Sequence, residues 1–339
     1  MPGQSRRMRL LLLGGTEFVG RAFAEEARAR GWEVTVFHRG RHPAPPGTHA
    51  LHGDRTEPDG LSALAEGEGA LFTWDAVVDT WTGAPAAVRA AARLLAPRAE
   101  RFAYVSSRSV HDAMTLGMDE SGPLVEGDSA DEKSDDYARA KRGGELAATA
   151  AFGARALLPR PGLVIGPGEN IGRLPWWLHR AARGGPMLAP GPRALPLQFI
   201  DARDLAAWTL DALGRGVGGA YNVVSPRGHA TMGELLDAVV AVTGGHAEPR
   251  WTDPETLAAA GVEPWSELPI WTPPGPLHDA LHGADVSQAL AEGLSCRPVA
   301  DTVADTWEWL RALGGEAPLR ADRPPVGLAP EREAELLAR

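Results

Sequence analysis

Residues 11–20 read LLLGGTEFVG. Three leucines end at Gly14 and Gly15, and Phe18 and Val19 begin a helical pattern. A strand, a glycine turn and a helix start together present free backbone N–H groups and a positive dipole end, which suit a pyrophosphate. A plain tight turn explains the glycines less well, because they stand directly after the first strand. The cofactor contacts predicted in this stretch are Gly14, Thr16, Glu17, Phe18 and Val19.

Outward from this stretch, the first half of the chain alternates short apolar runs with longer helical patterns. Such alternation is typical of a parallel sheet that is covered by helices. Strands are predicted at residues 9–14, 33–38, 76–80, 102–106 and 156–163, and helices at 18–30, 84–95 and 136–152. The predicted fold class is therefore α/β, a Rossmann-type doubly wound parallel sheet.

The regular alternation ends near residue 165, where Pro- and Gly-rich segments begin. We predict a dinucleotide-binding domain over residues 1–165. A smaller substrate-binding lobe and a C-terminal tail are predicted over residues 166–339. Residues 196–224 contain strand-like and helical patterns and are expected to return to the first domain, so the substrate lobe is partly discontinuous.

Charge and cysteine content limit the partners. The 339 residues carry a formal net charge of −10, which disfavours nucleic acid because phosphate backbones are held by clustered Lys and Arg. The single cysteine, Cys296, allows no internal disulfide and fits a reducing compartment, so a cytoplasmic location is expected. The apolar run after Arg9 is too short for a signal peptide or a spanning helix, and no membrane partner is expected.

A Tyr/Lys pair and a serine are the candidate catalytic residues. Tyr137 and Lys141 lie four apart in a predicted helix, so both side chains project from one face. An adjacent ammonium stabilises a phenolate and brings proton transfer by tyrosine within range at neutral pH. Ser107 follows a predicted strand, at the carboxyl edge where open α/β sheets bind ligands. We expect Ser107 to hold a substrate oxygen while Tyr137 exchanges its proton.

The end of the second strand indicates the cofactor. An NAD enzyme usually places a carboxylate there to bind the adenosine ribose, whereas this chain has Arg39. A guanidinium can pair with a 2′-phosphate, so NADP(H) is the favoured cofactor and NAD is the alternative. A solvated loop arginine is the simpler explanation of Arg39.

Together these residues resemble the extended short-chain dehydrogenase/reductases, including their atypical branch, a group known as the NAD-dependent epimerase/dehydratase family. Landmarks of that family are similar to the glycine stretch, the segment after the third strand, the serine strand, the Tyr/Lys helix and residues 160–167. The resemblance implies that Ser107, Tyr137 and Lys141 are catalytic. It also implies cofactor contacts at Asp54, Arg55, Thr80, Pro161 and Leu163.

Three departures from the family pattern bear on function. Glu17 replaces the middle glycine that lets the backbone approach the pyrophosphate. His111 stands where the family often has tyrosine. Arg108 and Ser109 replace the acidic pair that sugar dehydratases use for elimination, so dehydration is disfavoured.

Aromatic residues near the strand ends are candidates for the substrate pocket. Trp81 and His111 follow two strands, and Trp176 and Trp177 lie just past the predicted nicotinamide segment. Core packing explains the two adjacent tryptophans about equally well. His278 and His282 have helical spacing but no third ligand, so a surface helix turn is expected and no metal is predicted.

The favoured function is an NAD(P)-dependent oxidoreductase that transfers hydride between a nicotinamide and a carbonyl or alcohol substrate. One alternative is a nucleotide-sugar epimerase with tightly bound NAD. A second alternative is a non-catalytic protein that binds a dinucleotide or RNA. The resemblance also implies a homodimer, formed through the helices at 84–95 and 136–152.

Overall fold

The computed structural model describes residues 7–66, 69, 71–133 and 135–338, so residues 1–6 of the first predicted domain lie outside it. Its first half contains the strands β1 (Arg9–Leu13), β2 (Glu33–His38), β3 (His49–His52), β4 (Trp74–Asp79), β5 (Ala99–Tyr104) and β6 (Ala156–Pro161). The helices described between them are α1 (Phe18–Ala29), α2 (Ser62–Ala65), α3 (Pro85–Leu95) and α4 (Tyr137–Phe152).

The second half has shorter elements. Its strands are β7 (Val164–Ile165), β8 (Gly185–Pro190), β9 (Pro196–Leu197), β10 (Ile200–Asp201), β11 (Gly219–Val223), β12 (Ala230–Thr231) and β13 (Ala247–Thr252). Its helices are α5 (Arg173–Ala182), α6 (Ala202–Arg215), α7 (Met232–Val242), α8 (Pro254–Ala259), α9 (Pro276–His282), α10 (Ser287–Ala291), α11 (Val299–Ala312) and α12 (Pro330–Leu337).

Seven parallel strands form the central sheet in the order β11-β6-β5-β4-β1-β2-β3. The strand order reverses on either side of β1, since β2 lies to one side of it and β4 to the other. Ligands of open α/β sheets bind at such a switch point, beyond the carboxyl ends of the strands. The predicted Rossmann-type fold is confirmed.

The central strand divides its side chains between two cores. Leu10 and Leu12 pack with α1 and α6 on one face, whereas Leu11 and Leu13 pack with α3 and α4 on the other. All four leucines are almost fully buried. A strand buried on both faces reads as a continuous apolar run, which is why the sequence has four leucines in a row.

A third core fills the second lobe. The parallel pair β8 and β13 is covered by α5, α7 and α11, with Trp177 and Trp271 fully buried between them. β11 joins the central sheet beside β6, and α6 packs on α1. The division of the chain near residue 165 remains a prediction.

Two predicted segments differ from the structure. The strand-like run at 196–200 forms two separate two-residue strands, because β9 pairs with β12 and β10 pairs with β7, both outside the central sheet. The edge strand β3 was missed, because its four residues, HALH, are too few and too polar to form a clear apolar pattern. None of the helices in the described part of the chain is long and apolar enough to cross a membrane.

Candidate active site

The turn after β1 requires its glycines. Gly14 has φ of 113°, and a Cβ there would lie 2.4 Å from Thr80 Oγ1. A Cβ at Gly20 would lie 2.5 Å from the backbone nitrogen of Gly15, so a larger residue would push α1 away from the turn. Thr80 in turn donates its backbone N–H to Leu13 O at 3.2 Å, which fixes the end of β4 beside the turn.

The start of α1 is open to a ligand. Glu17 is its N-cap residue but its side chain makes no capping hydrogen bond, so the first N–H groups of the helix have no side-chain acceptor. Phe18 has a positive φ of 35°, which turns the chain sharply into the helix. Thr16 and Val19 are half-buried around this opening. The backbone of the glycine turn and of the start of α1 fits a pyrophosphate. The exposed carboxylate of Glu17, in contrast, places a negative charge at this opening.

At the adenosine end, the structure separates two adjacent predicted residues. Asp54 accepts hydrogen bonds from the backbone and hydroxyl of Thr56, which lower the pKa of its carboxyl, and exposed Arg39 lowers it further. Arg55 instead forms a buried bidentate pair with Asp79, with both N–O distances 2.8 Å. The Arg55 guanidinium is therefore committed to holding the strand ends together.

The predicted catalytic serine and tyrosine meet at the carboxyl edge of the sheet. The side chain of Asp136 caps α4 by accepting the Arg139 N–H, and this capping starts the helix at Tyr137. Ser107 Oγ accepts the Ser109 N–H at 3.1 Å and lies within hydrogen-bonding range of Tyr137. Burial raises the pKa of Tyr137, and Ser107 opposes this rise. The residue as a whole is 40% exposed, so the burial concerns its hydroxyl end.

Lys141 lies one helical turn further along α4 and is only 2% exposed. Its ammonium donates to the carbonyls of Trp81 and Val105, at 2.7 Å each, which leaves a third donor. Burial lowers the pKa of Lys141 to about 7, although the carboxylates of Asp79 and Glu145 act in the other direction. An amine with this pKa can exchange a proton near neutral pH.

A buried ion pair supports this group from behind and was missed by the sequence analysis. Glu145, two turns after Tyr137 on α4, accepts two hydrogen bonds from Arg160 of β6, at 2.8 and 3.0 Å. Ser106 Oγ donates to the same carboxylate at 2.7 Å. The network ties α4 to the ends of β5 and β6 and thereby fixes Ser107 relative to Tyr137. The spacing of Glu145 from Lys141, four residues, was the available signal.

Three arginines around Tyr137 were also missed. Arg173 begins α5, and Arg320 and Arg323 lie in the segment between α11 and α12. All three lower the pKa of Tyr137 electrostatically. The Arg173 guanidinium also lies 5.7 Å from the Trp265 ring. No local pattern in the Pro-rich tail could reveal that its arginines act electrostatically on Tyr137.

The segment predicted to lie against the nicotinamide follows β6. Pro161 is the last residue of β6 and is buried. Leu163 is 7% exposed, and its carbonyl accepts the Ile200 N–H at 2.8 Å. Ser106 N–H donates to Pro159 O at 2.8 Å, which places this segment beside the catalytic serine.

The predicted substrate residues are spread over several environments. The indole of Trp81 donates to Ala84 O and lies under the Arg55 guanidinium, 5.0 Å away. His111 is 4% exposed, and burial lowers its pKa. Trp177 is fully buried and donates to Pro269 O, so it belongs to the core of the second lobe. Trp176 is half-buried against Trp177, with ring centroids 4.7 Å apart.

The histidine pair of α9 is not on the surface, contrary to expectation. His278 and His282 are 2% and 0% exposed, and their rings lie 4.9 Å apart. The rings face other segments of the second half: His282 Nδ1 accepts the Gln198 N–H at 3.0 Å, and its Nε2 lies 3.2 Å from Ile270 O. Arg108 donates to the carbonyls of Ala280 and Leu281, which ties α9 to the 3-10 turn at Arg108–Val110. Within the described residues, no group of three or more potential ligands could hold a metal ion.

Comparison with known proteins shows the family and the fold. The sequence profile of the NAD dependent epimerase/dehydratase family matches residues 10–224, and the chain belongs to this family. The Bordetella bronchiseptica enzyme WbmH, solved with NAD+, superimposes with a TM-score of 0.67 and 20% sequence identity. The match covers 91% of this chain and 100% of the WbmH chain. UDP-glucose 4-epimerase of Thermotoga maritima, solved with UDP-glucose, has a TM-score of 0.64 and 16% identity, over 90% and 99% of the two chains.

A curated plant protein also matches part of this chain. The chloroplast stem-loop binding protein of 41 kDa b from Arabidopsis thaliana is 28% identical over 228 residues, which are 62% of this chain. The match spans only 56% of the plant protein. At these identities, the solved structures establish the shared fold.

Proposed function

We propose that the protein is an NAD-dependent epimerase that oxidises a secondary alcohol of its substrate and reduces the resulting carbonyl again from the opposite face. The observation that carries this proposal is the convergence of Ser107, Tyr137 and Lys141 at the same carboxyl edge of the sheet where α1 begins. Family membership and neighbours solved with NAD+ and UDP-glucose support an epimerase over the net oxidoreductase favoured by the sequence analysis.

The residues present fit a dinucleotide. Gly14 and Gly20 leave room that a Cβ would fill, and the uncapped start of α1 offers backbone donors to a pyrophosphate. Bound NAD would accept a hydride from the alcohol carbon and return it. The third donor of Lys141 is available to the cofactor side of the cleft, since the other two are held by backbone carbonyls.

The protein's own groups move the proton. Tyr137, as phenolate, removes the hydroxyl proton of the substrate while the carbon gives up its hydride, and it returns the proton when the carbonyl is reduced. Ser107 donates a hydrogen bond to the same oxygen as its charge changes. The three arginines favour the phenolate, because opposite charges stabilise the ionised form.

The surroundings of Tyr137 favour a negatively charged substrate. Arg173, Arg320 and Arg323 each lower the pKa of Tyr137 through space, so three positive charges act where the substrate oxygen would bind. A diphosphate-linked sugar carries two negative charges close to its ring, as in the UDP-glucose bound by the Thermotoga protein. We propose this class of substrate, with the sugar at Tyr137 and the diphosphate toward the arginines.

Two further candidates each have one supporting observation. Exposed Arg39 at the end of β2 fits an NADP(H)-dependent net oxidoreductase. The name of the plant relative fits an RNA-binding protein, although a net charge of −10 opposes this candidate. Homodimerisation through α3 and α4, which pack side by side, remains a prediction.

Acid denaturation followed by quantification of released NAD tests the proposed function. We expect close to one NAD per chain, together with interconversion of two epimeric sugar nucleotides without net change in absorbance at the NADH maximum. Absence of bound cofactor, combined with steady production or consumption of NADPH, would favour the oxidoreductase instead. High-affinity RNA binding that is unaffected by Tyr137→Phe, without either activity, would favour the binding protein.

A further inference from the structure

The segment between α11 and α12 crosses the cleft close to the glycine turn. The backbone N–H of Arg320 donates to Asn170 O at 3.0 Å, in the loop before α5. This loop reaches the glycine turn, because a Cβ at Gly168 would lie 3.3 Å from Phe18 Cα. The tail thus passes, through the loop at residues 168–170, close to the start of α1, where Glu17 precedes Phe18.

Arg320 is held in place with a donor to spare. Asp322 accepts from its Nε at 2.9 Å and its Nη2 at 2.6 Å, whereas Nη1 has no hydrogen bond to a described residue. The bond with Asp322 raises the pKa of Arg320 most, and Glu17 and Tyr137 raise it further through space. The positive charge of Arg320 therefore acts through space both on Glu17, at the start of α1, and on Tyr137.

The carboxylate of Glu17 disfavours a bound dinucleotide, and the charge of Arg320 can offset this effect. The carboxylate is 46% exposed at the start of α1, where the phosphates of a dinucleotide would bind. The negative charges of the carboxylate and of the phosphates would repel each other and weaken binding. The imidazole of His42, 3.6 Å from Glu17 Oε1, can compensate only when it is protonated. Arg320 carries a permanent positive charge.

We propose that Arg320 is the counter-charge of Glu17 and part of the cofactor site, so that the C-terminal tail completes a cradle that the glycine turn alone leaves too negative. This inference rests on the proposed NAD dependence. It gives the tail a role in cofactor binding, and it explains how a carboxylate can replace the middle glycine without loss of the site.

A double-mutant cycle on cofactor affinity tests the inference. Co-purified cofactor is first removed, and NADH is titrated at pH 8, where imidazole side chains are mostly neutral, by energy transfer from tryptophan. The four proteins are the unmodified chain, Glu17→Gly, Arg320→Gln and the double variant. We expect Arg320→Gln to weaken binding about tenfold when Glu17 is present and less than about threefold in the Glu17→Gly background. Glu17→Gly alone should tighten binding.

Two controls separate this effect from a loss of folding. Arg311→Gln removes an exposed arginine at the end of α11 and should leave NADH affinity unchanged. Arg320→Lys keeps the charge and should retain most of the affinity. Equal weakening by Arg320→Gln in both backgrounds, or no weakening in either, would overturn the counter-charge role while leaving NAD dependence intact. Failure of all proteins to bind NADH, Glu17→Gly included, would overturn the proposed function itself.

Discussion

The two ends of the cleft follow the family pattern to different degrees. At the catalytic end, Ser107, Tyr137 and Lys141 are all present and are held by backbone carbonyls, a helix cap and the buried Glu145 network. At the pyrophosphate end, the glycine turn is intact but Glu17 faces the ligand position. We therefore expect proton transfer to follow the family pattern, and cofactor binding at the glycine turn to depart from it.

The largest expected effect is at the catalytic end. Tyr137→Phe removes the proton-transfer group and should lower turnover roughly 10²- to 10⁴-fold. NADH affinity should stay within about twofold, because the hydroxyl is not part of the pyrophosphate cradle. Tyr221→Phe is the matched control, since Tyr221 packs on Trp208 away from the site. Turnover above a tenth of the original rate would remove Tyr137 from its role.

The Arg55→Gln variant tests whether Arg55 stabilises the fold or binds the cofactor. Arg55→Gln leaves the buried Asp79 carboxylate without its cation and should lower the free energy of unfolding by about 3–5 kcal/mol. Arg21→Gln breaks an exposed pair with Glu25 and should cost about 0.5 kcal/mol or less. Urea unfolding in the absence of cofactor measures both. Equal small losses would mean that Arg55 acts mainly on the ligand.

The free energy of unfolding should depend on pH through Lys141. Its pKa in the folded protein is about 7, below the ordinary value of 10.5, so the cost of burying its charge is fully present below pH 7. That cost declines as pH rises from about 7 to 10.5, since the folded protein then releases the proton first.

The unfolding free energy of the unmodified chain should therefore rise relative to Lys141→Met over this range, by up to about 1.4 kcal/mol per pH unit. Urea unfolding at a series of pH values measures this slope. A difference between the two proteins that is constant with pH would mean that Lys141 keeps an ordinary pKa. Such a constant difference in unfolding free energy would reflect only the hydrogen bonds that Lys141→Met removes.

Arg323 tests the electrostatic field around Tyr137. Its positive charge lowers the pKa of Tyr137, so Arg323→Gln should raise it and move the acidic limb of the kcat/KM profile to higher pH by about half a unit. Arg311→Gln serves as the control for a lost surface charge. An unchanged limb would show that water screens Arg323 from the phenol.

The smallest effect is expected at Arg39. If the cofactor is NADPH, Arg39→Ala should weaken NADPH binding several-fold, by about 1 kcal/mol, and leave NADH unchanged. If the cofactor is NAD, as proposed, neither affinity should change by more than about twofold. Parallel titrations with NADH and NADPH distinguish the two cofactors.

The sheet and the catalytic residues could be predicted because their signals are local. The leucines of β1, the glycine turn and the spacing of Tyr137 from Lys141 each report on a single element. The burial of His278 and the contact of Arg320 with Asn170 depend on the packing of distant segments, which no local period encodes. Arg55 was assigned to the cofactor from the family resemblance, and its buried pair with Asp79, 24 residues away, has no local signal.

The most direct test of the central claim is a titration of the cofactor-stripped protein with NADH, followed by energy transfer from tryptophan. The account predicts saturable binding at one site per chain, with an affinity that Tyr137→Phe does not alter and Gly14→Val abolishes. No saturable binding by a folded, cofactor-free protein would contradict it.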